Sequence, residues 1–333
     1  MLFTNAPLDA QLIVTRRCNL SCGYCSEYDN FSEPVPVEDL KRRIDALHRL
    51  KAANITLLGG EPLMHPDIAE IIVYAGQKAN VSLVTNGFLL RQSVIESLNT
   101  AGLNNLTVSI DTLHADPTRY IQKSFRSLRT RLERLRQYAR FDVHVTAVLC
   151  DASKADFRQL VREITAMGFR MSVNLLHNAR GYIAIGGDEY LELYEYFYRE
   201  AKPFTYIDYE YGRRLLQGER PDWKCRAGAR YLYVDENGLV QWCASQMGRL
   251  AKPLEEYTKA DIRRQSRLKK GCEEGCSVGC AYRCSLLDND KLAFGRAVLK
   301  GYLTGTMFDN GRRRRTQAAA PVVEPLPIVT REE

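Results

Sequence analysis

The chain has 333 residues, 45% hydrophobic and 26% charged, with 47 Lys and Arg against 40 Asp and Glu for a formal net charge of +7. That is ordinary globular usage at a length that buries a sizeable core, and it excludes global disorder, a collagen-like chain and a coiled coil. No run of about 18 apolar residues exists to span a membrane, and the mild basicity suits an anionic ligand without being a nucleic-acid footprint. The opening MLFTNAPLDAQLIVTRRC lacks the basic and apolar regions of a secretory signal, so a cytoplasmic protein is expected.

Residues 1–185 alternate short β-branched runs with longer amphipathic ones. Strands are expected at 12–15, 55–58, 81–85, 106–110, 143–149 and 171–175. Helices are expected near 37–52, 66–79, 90–101, 122–140 and 154–167. In the fourth, Leu128, Leu132 and Leu135 recur at helical spacing among Arg and Glu. Six strands separated by helices imply parallel pairing with right-handed crossovers. The fold class is therefore α/β, and either an open six-stranded barrel segment or a doubly wound sheet fits. Both collect ligands at the carboxyl ends of the strands.

Residues 186–224 form a connecting segment crowded with tyrosine, read as core and cleft lining. Residues 225–310 begin a Cys-rich unit with a hairpin, 231–235 and 239–243, around an Asn237-Gly238 turn. An amphipathic helix is expected at 290–308. Residues 311–333, with four consecutive arginines and then QAAAPVVEPLPIVTREE, read as a disordered tail.

Nine of the ten cysteines cluster, at 18–25 and 225–284, and a chain of this size without a signal needs no disulfides. Cys18, Cys22 and Cys25 form C-x3-C-x2-C directly after the first strand. Three thiolates on one loop can hold three irons of a [4Fe–4S] cluster and leave the fourth open to a small molecule. Zinc wants a fourth ligand, and no His lies on this loop. Cys225 and Cys243 bracket the hairpin as C-x12-G-x4-C, and Cys272, Cys276, Cys280 and Cys284 follow C-x3-C-x3-C-x3-C. As one helix, Cys272 and Cys284 would lie about 18 Å apart, too far for one cubane. Gly271, Gly275 and Gly279 argue for a loop instead. A zinc-ribbon site and a purely structural cluster remain alternatives for this region. Cys150 ends the fifth strand, as a substrate-facing hydrogen donor or as a buried inert thiol. His65, His114, His144 and His177 show no ligand spacing.

The stretch TRRCNLSCGYC, with Tyr24 at the aromatic position, resembles the signature of the radical S-adenosylmethionine (radical SAM) superfamily. Gly59-Gly60-Glu61-Pro62, Thr85-Asn86-Gly87 and Ser109-Ile110-Asp111 stand at successive strand ends, as in that family. The resemblance covers roughly residues 8–180. It implies a partial (β/α)6 TIM-like barrel and a [4Fe–4S] cluster on Cys18, Cys22 and Cys25. It also implies S-adenosylmethionine held by Tyr24, Gly59, Gly60, Glu61, Pro62, Asn86, Ser109 and Asp111. The cofactor is then cleaved to a 5′-deoxyadenosyl radical that takes a hydrogen atom from the substrate. The C-x12-G-x4-C element resembles the SPASM and twitch extensions, which hold auxiliary iron–sulfur clusters. One or two such clusters are implied, on Cys225, Cys243 and the later four, although the even spacing departs from the SPASM pattern. The expected partners are a reductant such as flavodoxin or ferredoxin and a small-molecule or peptide substrate. Because Cys18 comes so early, with no preceding peptide-clasping domain, a carbohydrate or amino-cyclitol is favoured. A peptide, a lipid, or an electron-carrier role without catalysis are the alternatives.

Overall fold

The structure is a computed structural model that describes residues 5–23, 25, 27–119 and 122–304. Tyr24 and the 311–333 tail lie outside the described residues. Six βα units come first: β1 (Asp9–Thr15), α1 (Val37–Arg49), β2 (Asn54–Gly59), α2 (Ile68–Gly76), β3 (Asn80–Thr85), α3 (Gln92–Ala101), β4 (Asn105–Ser109), α4 (Phe125–Tyr138), β5 (Asp142–Leu149), α5 (Phe157–Ala166) and β6 (Arg170–Leu175). Then follow α6 (Asp188–Glu200), α7 (Tyr209–Leu216), β7 (Tyr231–Val234), β8 (Leu239–Gln241), β9 (Lys252–Pro253), α8 (Lys259–Arg267), α9 (Gly279–Asn289) and α10 (Lys291–Leu303).

The nine strands form one sheet in the order β6-β5-β4-β3-β2-β1-β7-β8-β9. Strands β1 to β6 are parallel and each lies beside the next in sequence. The order never reverses, so the barrel segment is realised and the doubly wound sheet, which needs a switch point, is not. On one face Leu12, Leu57, Leu83 and Leu106 stand in register, all fully buried. They share a core with Leu40, Ile44, Leu128, Leu132 and Leu135 of the helices. The other face is polar: Asn54 Nδ2 and Thr56 Oγ1 each donate to Asp9 Oδ1 at 2.7 Å, and Ser82 Oγ donates to Asn54 Oδ1 at 3.0 Å. An apolar convex face under helices with a polar concave face is what a ligand-holding barrel segment requires.

The hairpin extends this same sheet. β7 pairs parallel with β1, opposite β2, and β8 pairs antiparallel with β7. The Asn-Gly turn is as expected: Gly238 has φ +78° and Asp235 Oδ1 accepts from the N–H groups of Asn237 and Leu239. The 272–284 segment departs in part from the expected loop. Gly271 and Gly275 adopt left-handed φ and keep Cys272 and Cys276 out of helix. Gly279, without positive φ, instead opens α9, which carries Cys280 and Cys284 one turn apart.

Candidate functional site

The N-terminal cysteine loop leaves β1 at Thr15 and closes on itself. Asp29 N–H donates to Arg16 O at 2.8 Å, Cys18 N–H to Asp29 O at 3.3 Å, and Cys25 N–H to Cys22 O at 3.0 Å. Arg16 fixes the loop to the hairpin turn through Glu27 (2.6 Å) and Glu236 (2.7 Å). Burial raises the Cys18 thiol to about 11, with Glu61, Cys25 and Cys22 adding to the effect. A bare Cys18 is therefore a neutral thiol at pH 7, and a metal that binds it must displace the proton.

Gly59 and Gly60 are required by the chain itself. A Cβ on Gly59 would lie 2.0 Å from Thr15 O, and one on Gly60 would lie 2.3 Å from both Arg16 O and Arg17 O. Gly60 N–H donates to Thr15 O and Glu61 N–H to Arg17 O. The two glycines thus dock the end of β2 against the first residues of the cysteine loop. The sequence alone does not show this docking, because the carbonyls involved lie more than forty residues earlier in the chain.

Glu61 is fully buried and is not the solvated helix-entry charge that its place before Pro62 allows. Its Oε1 accepts from Leu63 N–H (3.0 Å) and Thr85 Oγ1 (2.8 Å), and Oε2 accepts from Asn86 N–H (2.7 Å). Burial pushes its pKa up to about 6 against these hydrogen bonds. Pro62, also buried, starts the single 3-10 turn that Glu61 caps. Asn86 carries the link on to the loop: its Nδ2 donates to Asn19 Oδ1 at 2.7 Å and approaches Cys18 Sγ at 3.8 Å. The GGEP, TNG and cysteine elements are therefore one bonded unit.

Ser109 closes β4, and Asp111 just beyond it is buried. Asp111 Oδ1 accepts from Val148 N–H at 3.1 Å and Oδ2 pairs with Lys123 Nζ at 3.1 Å. Lys123 is the residue that sequence reasoning missed. Burial opposes its charge, yet Asp111 and the Cys22 and Cys25 thiols outweigh that and raise its pKa. It is a largely shielded cation, at 14% side-chain exposure, near the cysteine loop. Nothing in its local sequence sets it apart from a solvated lysine before a helix.

Cys150 sits buried on the turn after β5, where its N–H donates to Ser153 Oγ at 2.9 Å. His65 is occupied at both ring nitrogens, by Val35 O and Asp67 N–H. Among the described residues no set of three or more His, Cys, Asp and Glu is arranged around a single metal ion.

The six C-terminal cysteines converge from three elements. Burial pushes the Cys225, Cys243 and Cys284 thiols up, and nearby cysteines add to it: Cys276 and Cys272 at Cys225, Cys272 and Cys280 at Cys243, and Cys280 and Cys225 at Cys284. The 275–277 segment is strapped to the chain after β6 by Ile183 N–H to Gly275 O and Ser277 N–H to Gly181 O. Tyr211 OH donates to Cys276 O at 2.6 Å, and Trp223 Nε1 donates to Glu273 O at 3.0 Å. The tyrosine-rich stretch is core and cleft lining, as expected: Tyr190, Tyr194, Tyr196, Tyr198, Tyr206 and Tyr211 are buried. An all-thiol donor set, here and on the N-terminal loop, fits iron–sulfur chemistry.

Residues 12–164 match the family model described as the Radical SAM superfamily. This segment is a radical SAM domain. A probable GTP 3′,8-cyclase of Archaeoglobus fulgidus is 34% identical over 113 residues, 33% of this chain and 38% of that protein. An AdoMet-dependent heme synthase of Methanosarcina barkeri is 37% identical over 117 residues, 34% of each chain. A GTP 3′,8-cyclase of Desulforamulus reducens is 30% identical over 168 residues, 46% of this chain and 51% of that one. The chain thus spans about a third to a half of the length of these relatives. Among solved structures, Streptococcus suis SuiB bound to the precursor peptide SuiA superposes with a TM-score of 0.61 at 17% identity, covering 84% of this chain and 72% of that one. Native anSMEcpe with bound AdoMet and a Cp18Cys peptide gives 0.55 at 16% identity, covering 89% and 99%. At such identities the likeness is one of fold, and it runs beyond the radical SAM domain into the Cys-rich region.

Proposed function

We propose that the protein is a radical SAM enzyme with an auxiliary iron–sulfur site, acting on a substrate C–H bond. The observation that carries this reading is the bonded unit of cysteine loop, Gly59-Gly60-Glu61 and Asn86 at adjoining strand ends, with the Asp111–Lys123 pair near the same loop. Cys18, Cys22 and Cys25 would hold a [4Fe–4S] cluster, which with S-adenosylmethionine supplies one-electron reductive cleavage to a 5′-deoxyadenosyl radical. Gly59, Gly60, Pro62 and Ser109 offer backbone and hydroxyl groups beside it. Glu61 and Asn86 set the angle of the loop, and Lys123 keeps a positive charge where anionic cluster and cofactor groups gather. Cys225, Cys243, Cys272, Cys276, Cys280 and Cys284 would hold one or two auxiliary clusters. Cys150, on the β5–α5 turn, is available as a hydrogen donor. A reductant of the flavodoxin or ferredoxin type is the proposed electron source.

For the substrate, the sequence reading favours a small molecule such as a carbohydrate or amino-cyclitol. A second reading, a peptide, draws on the peptides bound in two of the solved structures that share the fold over most of the chain. The cyclase and heme synthase relatives match only part of the chain, so GTP and tetrapyrrole are not carried over. The deciding experiment is anaerobic reconstitution, reduction with dithionite and assay of S-adenosylmethionine. Conversion to 5′-deoxyadenosine and methionine is expected, and it should vanish when Cys18, Cys22 and Cys25 are all Ala. Cleavage that survives the triple substitution would overturn the assignment.

A further inference from the structure

An arginine on the auxiliary-cysteine helix carries the furthest inference. Arg283 lies between Cys280 and Cys284 on α9. Its Nη1 donates to Asp208 Oδ2 at 2.7 Å and its Nη2 approaches Cys280 Sγ at 3.4 Å. The pair is largely shielded, at 24% and 14% exposure. Asp208 also accepts from Tyr198 OH at 3.4 Å, and its backbone carbonyl accepts from Tyr194 OH at 3.1 Å. The guanidinium is thereby anchored through its other terminal nitrogen. Its charge reaches the barrel's concave face, where it acts on Asp9 and His144. It therefore sits at the junction of the auxiliary cysteines and the barrel interior.

We infer that Arg283 is a positioning residue that raises the reduction potential of the auxiliary cluster ligated by Cys280. The inference rests on the auxiliary-cluster reading above. Reduction is a one-electron step: the 2+ core gains one electron, from dithionite in the test, and becomes 1+. No proton or ligand need move. A donor N–H and a full positive charge beside a ligand sulfur favour the more negative state, and the shielded setting keeps that interaction strong. Asp208 opposes it from the other terminal nitrogen of the guanidinium. The two residues should therefore act with opposite sign.

The test uses the full chain with Cys18, Cys22 and Cys25 replaced by Ala, so that only auxiliary signals remain. Dithionite titration is followed by electron paramagnetic resonance, with iron and sulfide counted on the same samples. Arg283→Gln should lower the reduced-to-oxidised ratio about tenfold at fixed potential, a shift of about 59 mV to more negative values. Arg283→Lys should restore part of it. Asp208→Asn should shift the potential the other way. An unchanged potential in Arg283→Gln at undiminished iron content overturns the inference, as does an Asp208→Asn shift in the same direction as Arg283→Gln. If Arg283→Gln loses its iron, the sign of the Asp208→Asn shift decides alone. A parent protein without iron overturns the auxiliary-cluster reading, and this inference with it.

Discussion

Asp111 and Lys123 hold opposite charges largely shielded from water, at 3% and 14% side-chain exposure. Replacing Lys123 takes away the cation that pairs with the buried Asp111 carboxylate. Lys123→Ala should cost about 3 kcal/mol of apoprotein stability, measured by urea unfolding. The double replacement Asp111→Asn with Lys123→Met should recover most of that. It should still weaken S-adenosylmethionine binding in the reconstituted protein, and tight binding by the double variant would remove the pair from the cofactor site. His144 offers a pH test. It is half-buried and stacked on Phe204, with centroids 4.3 Å apart, and near Thr107 Oγ1 at 3.0 Å. Burial first, then Arg170 and Arg283, lowers its pKa to about 3. The unfolded chain takes up a proton near pH 6.5 that the folded chain refuses. This contribution to stability is complete above pH 6.5 and is lost as pH falls toward 3. Between pH 7.5 and 5.5 it should amount to about 1.4 kcal/mol. His144→Asn should abolish that part of the pH dependence, and an unaltered slope would refute the assignment.

At the scale of elements, the strand-end loops hold one another in place. At Gly60 an added Cβ meets two backbone carbonyls that cannot rotate away. Gly60→Ala should push the cysteine loop off β1 and lower reconstituted iron by about one cluster, roughly four atoms per chain. At Gly76, the end of α2, φ is negative and an added Cβ would meet nothing within 4 Å. Gly76→Ala should keep full iron content and gain up to about 0.5–1 kcal/mol. Equal iron loss in both would mean that the two sites differ less than their surroundings indicate.

Across the whole molecule, the continuous sheet joins the radical SAM domain to the Cys-rich region. Arg230, before β7, bonds Asp288 of α9 at 2.8 and 3.0 Å and the carbonyl of Ala6 at 3.2 Å. Arg16 and the β1–β7 pairing add further ties. Unfolding of the apoprotein should therefore be one transition by circular dichroism and by tryptophan fluorescence, since both Trp223 and Trp242 lie in the C-terminal half. Asp288→Ala should lower stability by about 3 kcal/mol without splitting that transition. Two separated transitions would show the halves to be independent.

The six βα units, the hairpin and the three-cysteine loop were legible from residue order alone, whereas β9, α8 and α9 were not. Period-two and period-3.6 patterns and an Asn-Gly turn are local, and a C-x3-C-x2-C loop after a strand carries its ligands on one short piece of chain. The N-terminal domain could thus be recognised without coordinates. Tertiary structure alone decided the rest. Sheet order chose between barrel segment and doubly wound sheet, because pairing is a property of strands far apart in sequence. The need for bare glycine at 59 and 60 comes from carbonyls far earlier in the chain, at Thr15, Arg16 and Arg17. Lys123 and Arg283 look like surface cations in a chain with 47 Lys and Arg. They are distinguished only by folding, which shields each beside a carboxylate and brings Arg283 against the sulfur of Cys280.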